Sequence, residues 1–532
     1  MIRRLTLAVG LLTLAAVAFA QEDRGNFSAG LETNTTYYFG DEKTGASELR
    51  PDGRMGSNNY LKVDYSWKGF YAGLQIESYL PPLLGYFPKT AVGGQGDMFS
   101  RYDIYAGYSA NGWDVRIGSL YEQFGSGLLF RTYEDRTLGI NNALQGVKVG
   151  YTFGDFLTVK AIYGRARDVM EYTSTMVSGA DISLSISRAA KWDSFDWSIE
   201  GSVLDKYENA DQMLQGQKPH TLGYSARMAL GYAGVRLSGE YMNRQSDPGT
   251  YNSMNTSRSE AIQIDLGYTG YGLGALFSFR KLHNPFLQAS RNLGPTDIYT
   301  YLNYVPALTQ QHTYSLATLN PYAPQNDELG GQADLYYNFR RGTAIGGRKG
   351  MKVHANFSTY YGNIAAWYGM PDGKSELLFR DLTVDVERWF GSDFKMILFY
   401  SWQTYNHAPG SGDEASMWRS HAVVADMTYK FDRKNSLRLE LQHLFSKDDH
   451  KNWAAAMVEY SFAPRWSVSV QDMWNYGDTK IHYINGSVSY SYSKVRAQLN
   501  FGRFKEGYQC SGGVCRQTPA YTGVNLSLIV AL

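Results

Sequence analysis

Cysteine is almost absent from this chain of 532 residues, which contains only Cys510 and Cys515, in the stretch CSGGVC. A structural zinc site would need two further ligands beside the pair, and none lies near it, so we expect no resident metal. Outside the cytoplasm such a pair suits a disulfide that closes a small loop near a strand end. We therefore predict a disulfide between Cys510 and Cys515.

Long apolar runs and an excess of one charge are missing too. Beyond the first residues, no stretch reaches the roughly 18 consecutive apolar residues of a transmembrane helix, which excludes an ordinary helical membrane protein. The 51 basic and 50 acidic side chains nearly cancel. A near-neutral chain of this kind gives no reason to expect nucleic acid as a partner.

Catalytic motifs are lacking as well. The nine histidines are scattered, and neither an HExxH nor a GxSxG motif occurs. The GSG sequence at 125–127 lacks the helix and the Lys-Ser or Lys-Thr pair that complete a phosphate-binding loop. We expect no enzyme and no cofactor. A meeting of His354, His421 or His443 with a serine in the folded chain stays open as the enzyme alternative.

The first residues have the features of a signal peptide. Arg3 and Arg4 precede an apolar stretch from Leu5 to Ala18, and Ala18-Phe19-Ala20 is a small-residue cleavage site. The apolar stretch is shorter than the roughly 20 residues that span a bilayer as a helix, which disfavours an uncleaved anchor. We predict that residues 1–20 are removed and that residues 21–532 form a single outer-membrane β-barrel domain.

Aromatic residues and glycine are abundant, with 42 tyrosines and 55 glycines, a mixture typical of β-sheet with many tight turns. Segment after segment alternates apolar and polar residues, as where Leu61, Val63 and Tyr65 alternate with Lys62 and Asp64. Many predicted strands reach the roughly 9 to 11 residues that cross a bilayer at a tilt. We predict an all-β fold, a transmembrane antiparallel β-barrel of about 24 strands (roughly 22 to 26).

Short turns alternate with long polar connections along the chain, as in outer-membrane barrels. The short turns include residues 67–69, 154–155 and 391–393, and the long connections include residues 81–98 and 507–519. An even number of strands places both termini at the short-turn rim. We assign that rim to the periplasm and the long loops, some of them inserted into the barrel, to the extracellular side.

Tryptophans near predicted strand ends favour a membrane barrel over a soluble propeller or sandwich, because such rings collect at membrane interfaces. These residues are Trp67, Trp113, Trp389, Trp418, Trp453, Trp466 and Trp474.

The stretch FGSGLLFRTYEDRTLGINNALQG, residues 124–146, carries four charges, Arg131, Glu134, Asp135 and Arg136, between two predicted strands. It also carries more apolar residues than an exposed loop tolerates. They are Leu128, Leu129, Phe130, Leu138, Ile140 and Leu144. A barrel of about 24 strands is too wide for its own side chains to fill. We predict a constriction loop inside the lumen, held by ion pairs from Arg131 and Arg136 to the wall, with a loop packed on the surface as the alternative.

The longest connection, Asn284 to Asp327, has little charge and many aromatic rings. Loops of this length are usually functional or disordered, and the composition favours an ordered plug or lid. Its candidate residues are Tyr299, Tyr301, Tyr304, Tyr314 and Tyr322. We expect these rings mainly to pack against protein, with stacking on a sugar ligand as the alternative.

Residues 124–146 and the stretch QHTYSLATLNPYAPQ are the parts of the chain on which a resemblance to a known protein family rests. Over nearly its whole mature length, the chain resembles an uncharacterised family of large bacterial outer-membrane barrels. The resemblance implies a fold and a location in the outer membrane. It implies no catalytic residue.

The leading functional hypothesis is a channel or transport pore of the Gram-negative outer membrane, for small or oligomeric solutes, narrowed by inserted loops. Strand alternation begins by about Asn26, which leaves no N-terminal plug domain of the energised receptors. The polar strand faces mix both signs of charge, so we expect weak ion selectivity. The alternative is a non-conducting scaffold or receptor whose long loops bind a surface lipoprotein, a secreted protein or a glycan. The expected partners otherwise are outer-membrane lipid and, during biogenesis, the barrel assembly machinery.

Overall fold

The period-two alternation of the sequence corresponds to β-strands along nearly the whole described chain. The computed structural model describes residues 25–44, 54–86, 98–209, 217–252, 254–292, 300–362, 375–449, 451–511 and 514–532. The predicted signal peptide, residues 1–20, lies outside these ranges. Within them, no helix is long and apolar enough to cross a membrane.

Thirty strands occur in the described residues, of which 24 form one sheet, while β6 to β9, β28 and β29 pair only among themselves. In chain order the strands are β1 (Asn26–Phe39), β2 (Met55–Trp67), β3 (Phe70–Tyr79), β4 (Phe99–Ala110), β5 (Trp113–Leu120), β6 (Gln123–Phe124), β7 (Phe130–Arg131), β8 (Glu134–Asp135), β9 (Ile140–Asn141), β10 (Leu144–Phe153), β11 (Leu157–Asp168), β12 (Glu171–Ser185), β13 (Phe195–Tyr207), β14 (His220–Tyr232), β15 (Val235–Arg244), β16 (Ser259–Gly270), β17 (Leu273–His283), β18 (Asp327–Phe339), β19 (Met351–Gly362), β20 (Glu376–Phe390), β21 (Phe394–Asn406), β22 (Met417–Lys430), β23 (Asn435–Ser446), β24 (Trp453–Phe462), β25 (Trp466–Trp474), β26 (Asn485–Tyr492), β27 (Val495–Phe504), β28 (Gly507–Ser511), β29 (Val514–Thr518) and β30 (Tyr521–Ala531).

The 24 long strands close into an antiparallel barrel. Each pairs with the next long strand along the chain, so that β5 pairs with β10 and β27 with β30. The last strand then pairs with the first, from Gly30 opposite Ala531 to Phe39 opposite Thr522. A closed sheet leaves no strand edge with unpaired backbone groups. The predicted all-β barrel and its number of strands are confirmed.

The two faces of the wall differ in polarity, as the alternation predicts. In β16, Ile264 and Leu266 are exposed on the outside, whereas Gln263 and Asp265 alternate with them and line a cavity of the lumen. Exposed apolar side chains recur on the outer face of other strands, including Ile104, Ile117, Ile182, Val203, Leu237, Leu398, Val423, Val458, Val470 and Leu526. An apolar outer band around a closed barrel is the surface that lipid covers in membrane barrels.

Tight turns close the rim at which Asn26 and Leu532 lie. In four of them both central residues have positive φ: Lys68-Gly69, Asn111-Gly112, Ala233-Gly234 and Tyr271-Gly272. This is the type I′ conformation, whose twist matches that of paired strands, and glycine adopts it at the second position without a steric penalty. The glycines of these turns therefore set the register of four hairpins.

Longer connections lie mostly at the opposite rim, which we call the long-loop rim. They include residues 245–258, 284–326 and 407–416. The alternation of lengths is not strict, because Val169-Met170 is a tight turn at the long-loop rim and residues 340–350 form a longer turn at the other.

Two details differ from the sequence expectations. The stretch 507–519 is not an irregular loop, because β28 and β29 pair there and place Cys510 opposite Cys515, joined by a disulfide. We call this element the rim hairpin. Trp453, expected at a membrane interface, is 2% exposed and packs inside the barrel with Tyr483. An inward-facing tryptophan can be buried there because a chain segment enters the lumen and covers it.

Candidate functional site

Two chain segments fold from the long-loop rim into the barrel: the first inserted segment, residues 121–143, and the second inserted segment, residues 284–326. Each leaves and rejoins the wall at a cross-strand pair. Leu120 lies opposite Leu144, and His283 lies opposite Asp327. The wall is therefore continuous behind both segments. Residues 293–299, with the candidate Tyr299, lie outside the described part of the second segment.

The first inserted segment is held in shape by two very short strand pairs. Strand β6 pairs with β7, and β8 pairs with β9. Gly125 and Gly127, both with positive φ, form the turn between β6 and β7. A Cβ atom at Gly125 would lie 2.3 Å from the Cδ atom of Arg227 on the wall. The glycine pair of this stretch thus permits a close approach to the wall.

Apolar packing buries this segment against the wall. The six apolar residues singled out in the sequence are all 0% or 1% exposed. Leu144 itself belongs to β10. Leu128, Leu129 and Phe130, together with Phe124, pack with it and with inward-facing residues of the wall such as Val177, Met242 and Ala261, and with Leu287 and Leu302 of the second segment. The two inserted segments and the wall share one apolar core.

Two of the four charges singled out in the sequence connect the segment to the wall. Arg136 pairs with Glu32 of β1 at 2.9 Å and with Glu134 at 3.1 Å. Glu134 also accepts a hydrogen bond of 2.7 Å from Gln75 of β3. Burial raises the pKa of Glu134 above its ordinary value, although Arg136 acts in the opposite direction. Asp135 instead caps its own loop, because its Oδ1 atom accepts a hydrogen bond from the Leu138 amide.

Arg131 does not behave as expected. In the part of the chain that the structure describes, it forms no ion pair. Its guanidinium lies over the rings of Tyr133 and Tyr304, 4.5 Å and 3.9 Å from the ring centroids. A guanidinium can be held by aromatic faces in place of a carboxylate. Because Tyr304 belongs to the second segment, Arg131 joins the two segments to each other and makes no contact with a wall carboxylate.

A buried charge cluster anchors the end of the first segment. Arg167 of β11 donates to both carboxylate oxygens of Glu77, at 2.8 Å and 2.9 Å, and to Asp103 at 3.0 Å. Asn141 of the segment donates to the same Glu77 at 2.6 Å. The Arg167 and Glu77 side chains are 2% and 3% exposed. Removing one partner of so buried a pair would leave an uncompensated charge.

A second buried cluster holds the root of the second segment. Asp247 accepts hydrogen bonds from Lys206 at 2.6 Å and from Arg291 at 2.7 Å, and Glu208 pairs with both cations. Burial alone would raise the pKa of Asp247, but the charges of Lys206 and Arg291 hold it well below its ordinary range. Nearby, Arg244 donates to the backbone carbonyls of residues 284–286. Five charged side chains therefore fix the point where the segment enters the barrel.

Beyond this root, the second segment packs against another part of the wall, formed by β20 to β22. Tyr314 and Leu316 pack there with Phe399 and Val424 of β21 and β22. His312 is 4% exposed, and its Nε2 atom lies 2.6 Å from Asp381 of β20.

The segment returns to the wall at a buried ion pair, where Arg280 and Glu328 are both 0% exposed and 3.2 Å apart. Tyr322 donates a hydrogen bond of 2.5 Å to Glu328. The segment is thus attached at both ends and in the middle.

The four described tyrosines of the candidate plug are engaged by protein. Tyr301 stacks on Phe286, with centroids 5.1 Å apart, and Tyr304 binds Arg131. Tyr314 packs against Phe399. Tyr322 stacks on Tyr360 and on Phe379, at 4.9 Å and 5.0 Å. Packing, the simpler of the two roles considered, accounts for these rings.

Where the first segment meets the lumen wall, acidic and basic side chains lie together. Glu122 pairs with Lys148 and Lys160 at 3.2 Å and 3.1 Å. Burial tends to raise the pKa of Glu122, yet the Gln123 amide and the two lysines lower it below its ordinary value. The lumen also contains a cavity of about 310 Å³, which is lined by Arg227 and by the carboxylates Glu200, Glu240 and Asp265.

The three histidines considered for the enzyme alternative bond to aspartate and tyrosine side chains in the structure. His354 lies between Asp334 and Asp385, at 2.9 Å and 2.7 Å. His421 and His443 bond to the hydroxyls of Tyr400 and Tyr476. Among the described residues, none of the three histidines contacts a serine hydroxyl.

Sequence reasoning missed the buried anchors, namely Arg167, Lys206, Asp247, Arg280, Arg291, His312 and Glu328. One signal was available: several of these charges lie in the last residues of strands at the long-loop rim. Alternation assigns their face of the sheet, but it does not identify partners that lie as far apart as Glu208 and Arg291.

The fold and the two segments define a large closed β-barrel with an occupied lumen. Over residues 1–532 the chain matches the Family of unknown function (DUF6029), and it belongs to that family. The resemblance to an uncharacterised family is thereby confirmed. No curated protein matches the chain.

Solved structures with similar architecture are outer-membrane barrels of low sequence identity. The P pilus usher (PapC) translocation pore is 10% identical, with a TM-score of 0.45, and covers 95% of this chain and 99% of its own. Pseudomonas aeruginosa OccK9 (OpdG) is 11% identical, with a TM-score of 0.37, covering 84% and 98%. The barrel fold of this chain rests on its own strand pairing.

Proposed function

We propose that the protein is a channel of the bacterial outer membrane whose lumen is narrowed by the two inserted segments. The main support for this proposal is the contrast between an apolar outer face and a lumen that holds charges of both signs, as around Lys160, Glu122 and Arg227. A wall with this polarity suits lipid outside and water inside. In this proposal both termini are periplasmic and the long-loop rim is extracellular.

The inserted segments would set the permeability of such a channel. A barrel of about 24 strands encloses more space than its wall side chains fill, so whatever occupies the lumen decides what passes. Mixed charges along the wall favour weak selectivity between cations and anions. The constriction in this proposal involves Arg131, Glu134, Asp135 and Arg136, which lie where the first segment meets β1, β3 and the second segment.

The register of the wall permits a clean test. Leu120 and Leu144 are cross-strand partners, so residues 121–143 can be replaced by a two-residue hairpin turn without moving β5 or β10. Residues 407–416 offer a matched control, because Asn406 and Met417 are likewise partners and close the same kind of turn. Conductance of the refolded proteins in planar bilayers should rise after the first replacement and stay at the wild-type value after the second.

The second candidate is a non-conducting receptor that binds a surface protein or a glycan. It is favoured by the attachment of the second segment at Asp247, Asp381 and Glu328, which is firm enough for a permanent plug. Folded protein that stays silent in bilayers, both intact and after replacement of residues 121–143, would contradict the channel. It would direct attention to ligands of the long-loop rim.

A further inference from the structure

A small cavity lies at the long-loop rim, apart from the charged lumen wall. Its volume is about 190 Å³, and it is enclosed between the second inserted segment and the rim hairpin. His312 and Tyr322 line it from the segment, Asp381 and Gln403 from the wall, and Tyr508 and the disulfide from the hairpin. Three elements distant in sequence thus meet around one space.

The lining is polar but carries no available charge. Threonine and amide side chains predominate, among them Thr309, Gln310, Gln311, Thr313 and Asn320. No lysine or arginine of the described chain is among the lining residues.

The one carboxylate of the lining is already engaged. Ser401 donates to Oδ1 of Asp381 at 3.0 Å, and His312 lies 2.6 Å from Oδ2. A charged ligand would lose its hydration without gaining an opposite charge, so the lining selects a neutral polar molecule.

Hydrogen-bonding capacity remains unused in the lining residues. Within the described chain, the Oε1 atom of Gln310 and the Nδ1 atom of His312 are buried and have no partner. Both atoms are enclosed by protein, so the groups that a molecule in the cavity would meet are the exposed side chains of Gln311 and Thr313. Their amide and hydroxyl groups suit a ligand rich in hydroxyl groups.

An aromatic ring completes the lining. Tyr508 is 49% exposed, so part of its ring surface is free. A ring face beside amides and hydroxyls suits a molecule with an apolar face and a polar rim. Pockets for drug-sized ligands measure roughly 300 to 1,000 Å³, so a space of about 190 Å³ holds a single small ring.

We propose that this cavity binds one neutral saccharide unit. Amides and hydroxyls of the second inserted segment would bond to the sugar hydroxyls, and Tyr508 of the rim hairpin would contact a ring face. The unit is either a free monosaccharide or the end of a longer glycan, and both have this chemistry. The site does not depend on conduction through the lumen.

The test uses the full mature chain, refolded in a detergent without a sugar headgroup. Ligand-observed saturation-transfer NMR measures binding of D-glucose, D-galactose, D-mannose and N-acetyl-D-glucosamine, and of maltohexaose as a glycan. D-Glucosamine and D-glucuronate serve as cationic and anionic comparisons. We expect at least one neutral probe to bind, and both charged probes to bind at least tenfold more weakly. Binding of maltohexaose alone would identify a glycan end as the ligand, and binding of monosaccharides would identify a free sugar.

Two variants remove the proposed contacts and a third is the control. Tyr508→Ala and Gln311→Ala should each weaken binding by about tenfold. Gln517→Ala should leave binding unchanged, because Gln517 lies opposite Tyr508 on the hairpin but does not line the cavity. A gel-mobility assay of unheated samples verifies that each barrel is folded. Folded wild-type protein that binds none of the neutral probes would overturn the proposal, and so would unchanged binding in Tyr508→Ala and Gln311→Ala.

Discussion

Replacing Leu129 by alanine should loosen the first inserted segment without disturbing the barrel. The Leu129 side chain is 0% exposed, and its Cδ1 atom lies 2.8 Å from where a Cβ atom at Gly223 would be, so it fits closely against β14. Truncating a fully buried leucine costs about 2 to 5 kcal/mol. With a value near 3 kcal/mol, and about 1.4 kcal/mol for each tenfold change, the population of the displaced segment should rise by about 100-fold.

Hydrogen exchange and single-channel recording measure this displacement. Amides of residues 124–141 should exchange about 100-fold faster in Leu129→Ala, by the same arithmetic, while amides of the barrel strands stay protected. Brief openings should become more frequent in bilayers. Leu266→Ala is the matched control, because it removes the same atoms from a side chain that is 42% exposed on the outer face of β16. Equal exchange in both variants would refute the idea that apolar packing holds the segment in the lumen.

Two further predictions concern the buried charges. Arg280→Met should destabilise the protein by about 3 to 5 kcal/mol, because Glu328 is left buried and unpaired, whereas Arg280→Met with Glu328→Leu should recover part of the loss. Urea unfolding followed by gel mobility checks this, and an equal loss in both variants would contradict it. The second prediction is that the root of the second segment resists acid. Because the pKa of Asp247 is held below its ordinary value, its ionised form stabilises the root fully above about pH 4. This contribution declines as the pH falls below that value and is gone below the lowered pKa. Pepsin should therefore cut residues 245–292 faster in Asp247→Asn than in wild-type protein at pH 4, and the ratio of the two rates should be smaller at pH 2. Comparing both proteins at the same pH cancels the pH dependence of pepsin itself, and an equal ratio at both pH values would contradict the prediction.

The rim hairpin shows where reasoning from sequence stopped. The CSGGVC stretch indicated a disulfide loop, and Cys510 is indeed bonded to Cys515 in the structure. The cavity that Tyr508 and His312 line depends on the second segment, whose relevant residues lie about two hundred positions earlier in the chain. Contacts over such a separation leave no local pattern in one sequence.

The barrel follows from local features of the amino-acid sequence. Alternation with a period of two assigns the faces of every strand, and turn glycines such as Gly69 and Gly234 fix where strands reverse, so the number of strands and their order follow from local chemistry. It also indicated the first inserted segment, because residues such as Leu129 and Phe130 require burial. Which groups hold that segment depends on contacts between residues far apart in the chain. Arg136 reaches Glu32 and Arg131 lies between Tyr133 and Tyr304 because barrel closure brings β1 and the two segments together, and closure is a property of the whole chain.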